Sequence, residues 1–287
     1  MKQITGQTKM ICLLGSPVSH SKSPLMHNEG FSQLNLDYVY LAFDVTSENL
    51  TATVDGLRAM NVRGFNLTMP HKTAACKLCD ELSPAAKVIG SINTVVNNDG
   101  ILTGHSTDGI GFMRAIAETG FDVKDKKMTV LGAGGAATAI FVQAALDGVQ
   151  EISIFSRRGD FFDRAQQIIQ DLKAYSSSKI NIYDFDDENV LRREIRESAL
   201  LVNATSVGMA PNVDASIITD PTMFHKDLFV SDIIYNPAET KLLRLAREAG
   251  CKTQNGLNML LYQGAEAFKL WTGQDMPVSI IKEKYFT

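Results

Sequence analysis

A two-domain α/β fold is what the sequence predicts, and three observations carry the expectation. The chain has 287 residues, about two domains at the usual ~150 residues each. Short β-branched or apolar runs alternate with longer amphipathic ones, the pattern of βαβ units and largely parallel sheets. After about Asp108 the alternation restarts, and its first strand runs straight into Gly132, Gly134 and Gly135.

In the first third, Met10–Leu14, Tyr38–Phe43, Arg63–Leu67 and Asn93–Val96 read as strands, while Pro24–Leu34, Glu48–Met60 and His71–Cys79 have helical spacing. Beyond Asp108, Met128–Leu131 is a predicted buried strand, followed by the glycine turn and a helix over Ala136–Leu146. Glu151–Phe155 is the next strand. Asp160–Tyr175 then places Phe161, Phe162, Ala165, Ile168, Ile169 and Leu172 on one helical stripe. Ser176-Ser177-Ser178 marks a loop, and Ile180–Tyr183, Leu200–Asn203 and Leu228–Ile233 read as strands. Helices are predicted over Glu239–Ala249, stopped by Gly250 at C′, and over Leu257–Leu270, stopped near Gly273. No long Pro- or Gly-rich linker and no internal repeat interrupts this order.

Composition narrows the class. Hydrophobic residues at 45% and charged residues at 21% exclude a disordered or collagen-like chain. A net charge of −4 without a basic run lacks the electrostatic footprint of nucleic-acid binding. The apolar patch Met10–Gly15 is too short for a signal-peptide core. Met128–Leu146 carries no charge, but its three glycines fall between a strand and a helix, so the expectation is a cytoplasmic protein with no membrane partner. Cys76 and Cys79 form a C-x-x-C on a predicted helix with no second Cys or His pair nearby. Two thiols on a helix outweigh metal or redox use there, and no metal site is expected.

The strongest chemical signal is Gly132-Ala133-Gly134-Gly135-Ala136-Ala137, a G-x-G-x-x-A between a predicted strand and helix. Gly132 would permit the tight turn, Gly134 the approach of a pyrophosphate, and Ala137 close helix–strand packing. The helix start would supply free N–H groups and the positive end of the dipole. The context favours a Rossmann-type, doubly wound nucleotide-binding domain over a plain packed turn. After the next strand come Ser156, Arg157, Arg158, Gly159 and Asp160. Two arginines suit a 2′-phosphate, which leans towards NADP, while Asp160 keeps NAD open. Ser21, Ser23, Asn66, Thr68, Lys72, Asn93, Thr107 and Asp108 stand at predicted strand or loop ends. Taken singly each has a plain reading: Ser23 before Pro24 as an N-cap, Asn66 and Thr68 as a strand-end turn, Lys72 as a solvated lysine.

Taken together they resemble a family. Ser19-His20-Ser21-Lys22-Ser23-Pro24, Asn66-Leu67-Thr68-Met69-Pro70-His71-Lys72, Gly90-Ser91-Ile92-Asn93-Thr94 and Thr107-Asp108-Gly109-Ile110-Gly111 resemble motifs of the shikimate dehydrogenases. So do the glycine loop, Asn203-Ala204-Thr205-Ser206-Val207-Gly208-Met209, Asp232-Ile233-Ile234-Tyr235-Asn236-Pro237 and Gly256-Leu257-Asn258-Met259-Leu260-Leu261-Tyr262-Gln263. Arg157-Arg158 before Phe161-Phe162-Asp163 is similar to the quinate/shikimate branch.

The resemblance implies a substrate-binding α/β domain over residues 1–110, completed by residues 256–287, and an NAD(P)-binding domain over residues 111–255. It implies oxidation of shikimate to 3-dehydroshikimate, and in the branch reading substantial quinate turnover. Ser21 and Ser23 would hold the substrate carboxylate with Tyr235 nearby, and Thr68, Asn93 and Gln263 the ring hydroxyls. Lys72 and Asp108 would be the acid–base pair, with the proton carrier between them left open. Gly132, Ala133, Gly134, Gly135 and Ala136 would take the pyrophosphate, and Ser156, Arg157 and Arg158 the adenosine ribose. Ser206, Ile233, Gly256 and Met259 would line the nicotinamide end. A homodimer is compatible with this reading. A non-catalytic nucleotide-binding regulator is the alternative from another class, and the presence of both Lys72 and Asp108 argues against it. Two departures stand out: His105-Ser106 where the family has Asn before Thr107-Asp108, and Gly159 where the branch places an acid after the arginines.

Overall fold

The structure is a computed structural model that describes residues 3–286. It divides into two compact units, Met1–Gly111 with Leu260–Thr287 and Phe112–Met259. The first unit contains, in order, strand β1 (Lys9–Gly15), helix α1 (Ser23–Gln33), β2 (Tyr38–Asp44), α2 (Leu50–Ala59), β3 (Gly64–Leu67), β4 (Glu81–Leu82), α3 (Pro84–Ile89), β5 (Thr94–Asn98) and β6 (Ile101–His105). Helix α4 (Asp108–Glu118) carries the chain into the second unit, which holds β7 (Lys127–Leu131), α5 (Gly135–Leu146), β8 (Glu151–Ser156), α6 (Asp160–Leu172), β9 (Lys179–Asp184), α7 (Glu188–Glu197), β10 (Leu200–Asn203), β11 (Phe229–Asp232), α8 (Lys241–Glu248) and β12 (Lys252–Gln254). Helix α9 (Leu257–Thr272) returns it to the first unit, which α10 (Val278–Tyr285) completes.

The second unit is a parallel sheet of order β12-β11-β10-β7-β8-β9. Counted within the unit, the order reads 6-5-4-1-2-3, the doubly wound arrangement whose direction reverses between β7 and β10. Strands β7, β8, β10 and β11 are almost continuously buried, as befits a sheet covered on both faces. Helix α7 is mostly charged, and an ion cluster around the nearly buried Glu194 anchors it. Lys127 Nζ lies 2.7 Å from Glu194, 2.6 Å from Glu197 and 3.1 Å from Glu151. Burial alone would raise the Glu194 carboxyl, but its bonds to Lys127, Ser153 and Arg193 hold it down at about 2.

The first unit departs from the largely parallel sheet predicted. Its order is β2-β1-β3-β5-β6-β4, and β5 runs antiparallel to both β3 and β6. Asp99 and Gly100, both at positive φ (52° and 93°), turn the chain from β5 into β6, the Asp-Gly signature of a tight hairpin. The helix predicted over His71–Cys79 shrinks to a 3-10 turn at Ala74–Leu78. Cys76 and Cys79 are free thiols, and burial chiefly pushes Cys79 up to about 12, so it is no ready nucleophile. Among the described residues no group of three or more His, Cys, Asp or Glu side chains could hold a metal, and no helix is long and apolar enough to cross a membrane.

One face of this sheet packs Leu14, Val54, Leu57, Phe65 and Val95 into a core. Its other core is aromatic. His27 of α1 stacks on Tyr40 at 4.4 Å between ring centroids and meets Trp271 edge-on at 5.3 Å, with Phe268 beyond. The indole N–H of Trp271 donates to the Val95 carbonyl at 2.9 Å, tying α9 onto β5. His27 is fully buried and neither ring nitrogen has a hydrogen-bond partner.

Burial lowers the His27 pKa from 6.5 to about 3. Below pH 6.5 the unfolded chain therefore binds a proton that the folded one refuses, and stability falls as pH drops towards 3. Between pH 7 and pH 5 this residue alone should remove about 2 kcal/mol. Urea unfolding of wild type and His27→Phe at both pH values checks this, and equal losses in the two proteins would refute it.

Candidate active site

Asn93 occupies the position just before β5, and its backbone is pinned on both sides. Its carbonyl accepts the Leu67 N–H at 2.9 Å, and its own N–H donates to the His105 carbonyl at 3.0 Å. The side chain, 3% exposed, donates from Nδ2 to Asp108 Oδ1 at 2.8 Å. The same amide reaches Thr107 Oγ1 at 3.0 Å and Gln263 Oε1 at 3.3 Å, and its Oδ1 accepts the Thr107 N–H at 2.8 Å. Asp108 opens α4, where the helix dipole favours a carboxylate. Its other oxygen, Oδ2, accepts from Lys72 Nζ at 2.6 Å, with the lysine side chain 29% and the aspartate 12% exposed. Residues far apart in sequence thus meet as one hydrogen-bonded set: Lys72, Asn93, Asp108 and Gln263.

The loop that carries Lys72 is held from beneath. His71, 1% exposed, bonds through Nε2 to the Val45 carbonyl at 2.7 Å, and the Lys72 carbonyl accepts the Ile92 N–H at 2.9 Å. Thr68 follows β3, its N–H bonded to the Leu14 carbonyl at 2.9 Å, which seats it beside the end of β1. Asn66 is more than a strand-end turn. Its Nδ2 donates to the Asn93 carbonyl at 2.9 Å and to Thr94 Oγ1 at 3.0 Å, and its Oδ1 accepts the Tyr40 hydroxyl at 2.7 Å. A buried polar ladder, Tyr40–Asn66–Asn93–Asp108, so runs from the aromatic core to Lys72.

Ser23 is not the N-cap that its place before Pro24 suggests. It is the first residue of α1, Lys22 is the cap, and no side chain bonds the first turn from that position. Instead Ser21 Oγ accepts the Ser23 N–H at 3.2 Å. The two serines share one turn after β1, Ser23 being 8% exposed. No hydrogen bond joins them to Lys72 or Asp108. Tyr235 belongs to the other unit, on the loop after β11, and is 38% exposed.

In the second unit Gly132 has φ +112°, and a Cβ there would crowd the Ala204 carbonyl oxygen at 3.0 Å. Gly134 caps α5 in an extended conformation without any side-chain bond, and open space surrounds the position a Cβ would take. The first-turn N–H groups of α5 therefore face an uncovered cradle at the reversal point of the sheet. This is the setting a dinucleotide's pyrophosphate requires, and Gly132 to Ala136 fit it. Past β8, Ser156 is nearly buried. Arg158 lies over the Phe162 ring at 4.2 Å and gives its Nε to Asp184 Oδ2 at 3.0 Å. Arg157 is exposed and makes no ion pair among the described residues. Ser206, Ile233 and Gly256 all lie on connections beyond β10, β11 and β12, and Met259 in the first turn of α9.

Known proteins resemble this chain in sequence and fold. Residues 13–95 match the shikimate dehydrogenase substrate binding domain, and residues 256–284 the shikimate 5′-dehydrogenase C-terminal domain. The chain is 52% identical to a shikimate dehydrogenase (NADP(+)) of Listeria monocytogenes over 285 residues, 99% of this chain and 98% of that protein. A solved shikimate 5-dehydrogenase from Listeria monocytogenes, in complex with shikimate and NAD, is similar with a TM-score of 0.94 at 52% identity, covering 99% of this chain and 98% of that one. Quinate dehydrogenase from Corynebacterium glutamicum, in complex with NAD, is similar with a TM-score of 0.85 at 30% identity, covering 97% and 99%.

Proposed function

The chain belongs to the shikimate dehydrogenase family, and we propose on that premise that it interconverts shikimate and 3-dehydroshikimate with an NAD(P) cofactor. One observation carries the reading at the level of chemistry: Lys72 and Asp108 form a 2.6 Å pair whose other carboxylate oxygen is already fixed by Asn93. That alignment argues against a non-catalytic regulator.

Oxidising a secondary alcohol requires that its O–H proton be taken up while hydride leaves the carbon. In the reading proposed, the substrate hydroxyl meets Lys72 and Asp108, which exchange one proton with its oxygen. In the reverse direction the ammonium of Lys72 faces the carbonyl oxygen and offsets the charge that grows there. Asn93 keeps the carboxylate from rotating, so the pair meets the hydroxyl in one geometry. Ser21 and Ser23 would bind the carboxylate, and Thr68, Asn93 and Gln263 the ring hydroxyls. When bound, the nicotinamide dinucleotide supplies the hydride acceptor. Gly132, Ala133, Gly134, Gly135 and Ala136 would hold its pyrophosphate, Ser156, Arg157 and Arg158 its adenosine ribose, and Ser206, Ile233, Gly256 and Met259 the nicotinamide end. The four free thiols are in keeping with a reducing compartment, which supports a cytoplasmic location.

Replacing Lys72 by Met keeps the stem and removes the ammonium. Turnover should fall by roughly 10²–10⁴-fold, with the shikimate KM changed far less. Near-normal turnover in steady-state assays would remove Lys72 from the mechanism.

Changing both Arg157 and Arg158 to Ala should raise the KM for NADP at least tenfold more than that for NAD, because only NADP carries the phosphate they would meet. Equal changes for the two cofactors would reduce the arginines to surface charge.

Quinate should be turned over weakly. It has an extra hydroxyl on the carboxylate-bearing carbon, beside the serine pair, and an unpaired buried hydroxyl costs about 1–3 kcal/mol. Specificity constants should therefore favour shikimate by roughly tenfold to a hundredfold, and Ser23→Thr should narrow the gap. A wild-type preference for quinate would contradict this.

A further inference from the structure

Asp232, the last residue of β11, is fully buried, yet the partners it bonds are all neutral. Asn203 Nδ2 and the Ile234 N–H donate to its Oδ1 at 3.1 and 3.0 Å, and the Thr240 hydroxyl donates to its Oδ2 at 2.7 Å. Asn203 is its register partner at the end of β10. It extends the junction outward: Nδ2 also reaches the Val207 carbonyl at 3.2 Å, while Oδ1 accepts from the N–H and the hydroxyl of Thr205 at 3.1 and 2.8 Å. Thr205 Oγ1 in turn accepts the Val207 N–H at 3.1 Å.

Apart from the Asn203–Asp232 bond itself, which bridges the two strand ends, every one of these bonds goes to a group beyond the strands. The sheet itself is closed by its backbone ladder and does not need them. What they join are the two connections that leave β10 and β11, the first carrying Ser206 and the second Ile233. A third connection is tied to the same place. The Gly256 N–H donates to the Ile234 carbonyl at 3.0 Å, and a Cβ at Gly256 would overlap the Ile233 carbonyl.

We propose that Asp232 is a positioning residue for the dinucleotide: its carboxylate, acting through Asn203, Ile234 and Thr240, fixes the loops of Ser206 and Ile233 in the arrangement that receives the nicotinamide end. This rests on the function proposed above. A carboxylate suits the junction because both oxygens accept, whereas an apolar residue would leave three donors unmatched in a dry site. An amide can take over most of the task. Its oxygen would accept from Asn203 and Ile234, and its NH₂ would donate to the Thr240 hydroxyl.

The test compares Asp232→Ala, Asn203→Ala and Asp232→Asn with wild type in three readouts: calorimetric Kd for the tighter-binding of NADPH and NADH, KM for shikimate, and Tm. The two Ala variants should bind the cofactor at least tenfold more weakly, while the shikimate KM stays within about twofold. The double Ala variant should bind no worse than the weaker single, since both cut one junction. Asp232→Asn should stay within about threefold of wild type. Ala variants that lose Tm but keep the wild-type Kd, measured well below their melting range, would overturn the proposal and leave Asp232 a stabilising residue only. Should Asp232→Ala fail to fold, Asn203→Ala carries the same decision. A wild-type protein that binds neither cofactor would overturn the functional reading beneath the proposal.

Discussion

The carboxamide of Asn93 is the constraint around which the first unit is organised. It is almost completely buried, and its backbone is bonded to β3 on one side and β6 on the other. It therefore cannot turn to satisfy itself elsewhere. From that fixed point it presents an N–H to Asp108, and Asp108 in turn receives the Lys72 ammonium. The antiparallel turn of β5 against β3 and β6 is what makes this possible. It brings the end of β3, the start of β5 and the end of β6 to one place, so that residues 72, 93 and 108 become neighbours. A buried carboxylate left without these partners would be costly to keep ionised, and here the fold supplies them before any ligand arrives.

The second unit solves a similar problem with the same chemistry. Asn203 and Asp232 stand side by side at the ends of adjacent strands, an amide donating to a carboxylate. In the first unit the aspartate keeps one oxygen facing a cation, which suits proton exchange. In the second both oxygens are filled by neutral donors, which suits holding loops still. In the function proposed, the difference between the two carboxylates thus lies in who occupies the second oxygen.

Much of the second unit was legible in the sequence, because a buried strand running into Gly132 and Gly134 has few other physical meanings. The first unit was legible at strands β1, β2, β3 and β5 and at helices α1 and α2. Strand β4 has two residues and no pattern to read. Helix α7 carries so much charge that its apolar stripe is reduced to Leu191 and Ile195, and the ion cluster on Lys127 does the anchoring. The β5–β6 hairpin did have a local signal, Asp99-Gly100, which the expectation of βαβ units passed over. At the site, polar residues at strand ends were visible singly, and the family resemblance gave them roles. Their hydrogen bonds were not visible, since Lys72 and Asp108 are separated by a hairpin whose direction no spacing encodes. Tyr40 carries no signal as local sequence, and His71 and Asp232 stood only as members of family motifs, with no role of their own. A tyrosine in a strand is ordinary, and only the fold reveals that its hydroxyl ends on Asn66.

Because the first unit is completed by Leu260 onward, its order of synthesis differs from its order in space. Gln263, Phe268 and Trp271 leave the ribosome about 150 residues after the end of the first unit's opening stretch, a delay of roughly 8–30 s at common translation speeds. During that interval β1, β2, β3 and β5 exist without the helix that covers their aromatic face, while the whole second unit has been made. A nascent chain would therefore carry a finished nucleotide-binding half and an open, sticky face on which Tyr40 of the sheet and His27 of α1 are exposed. Any chaperone acting on this protein during translation should find its grip there, and lose it when α9 arrives.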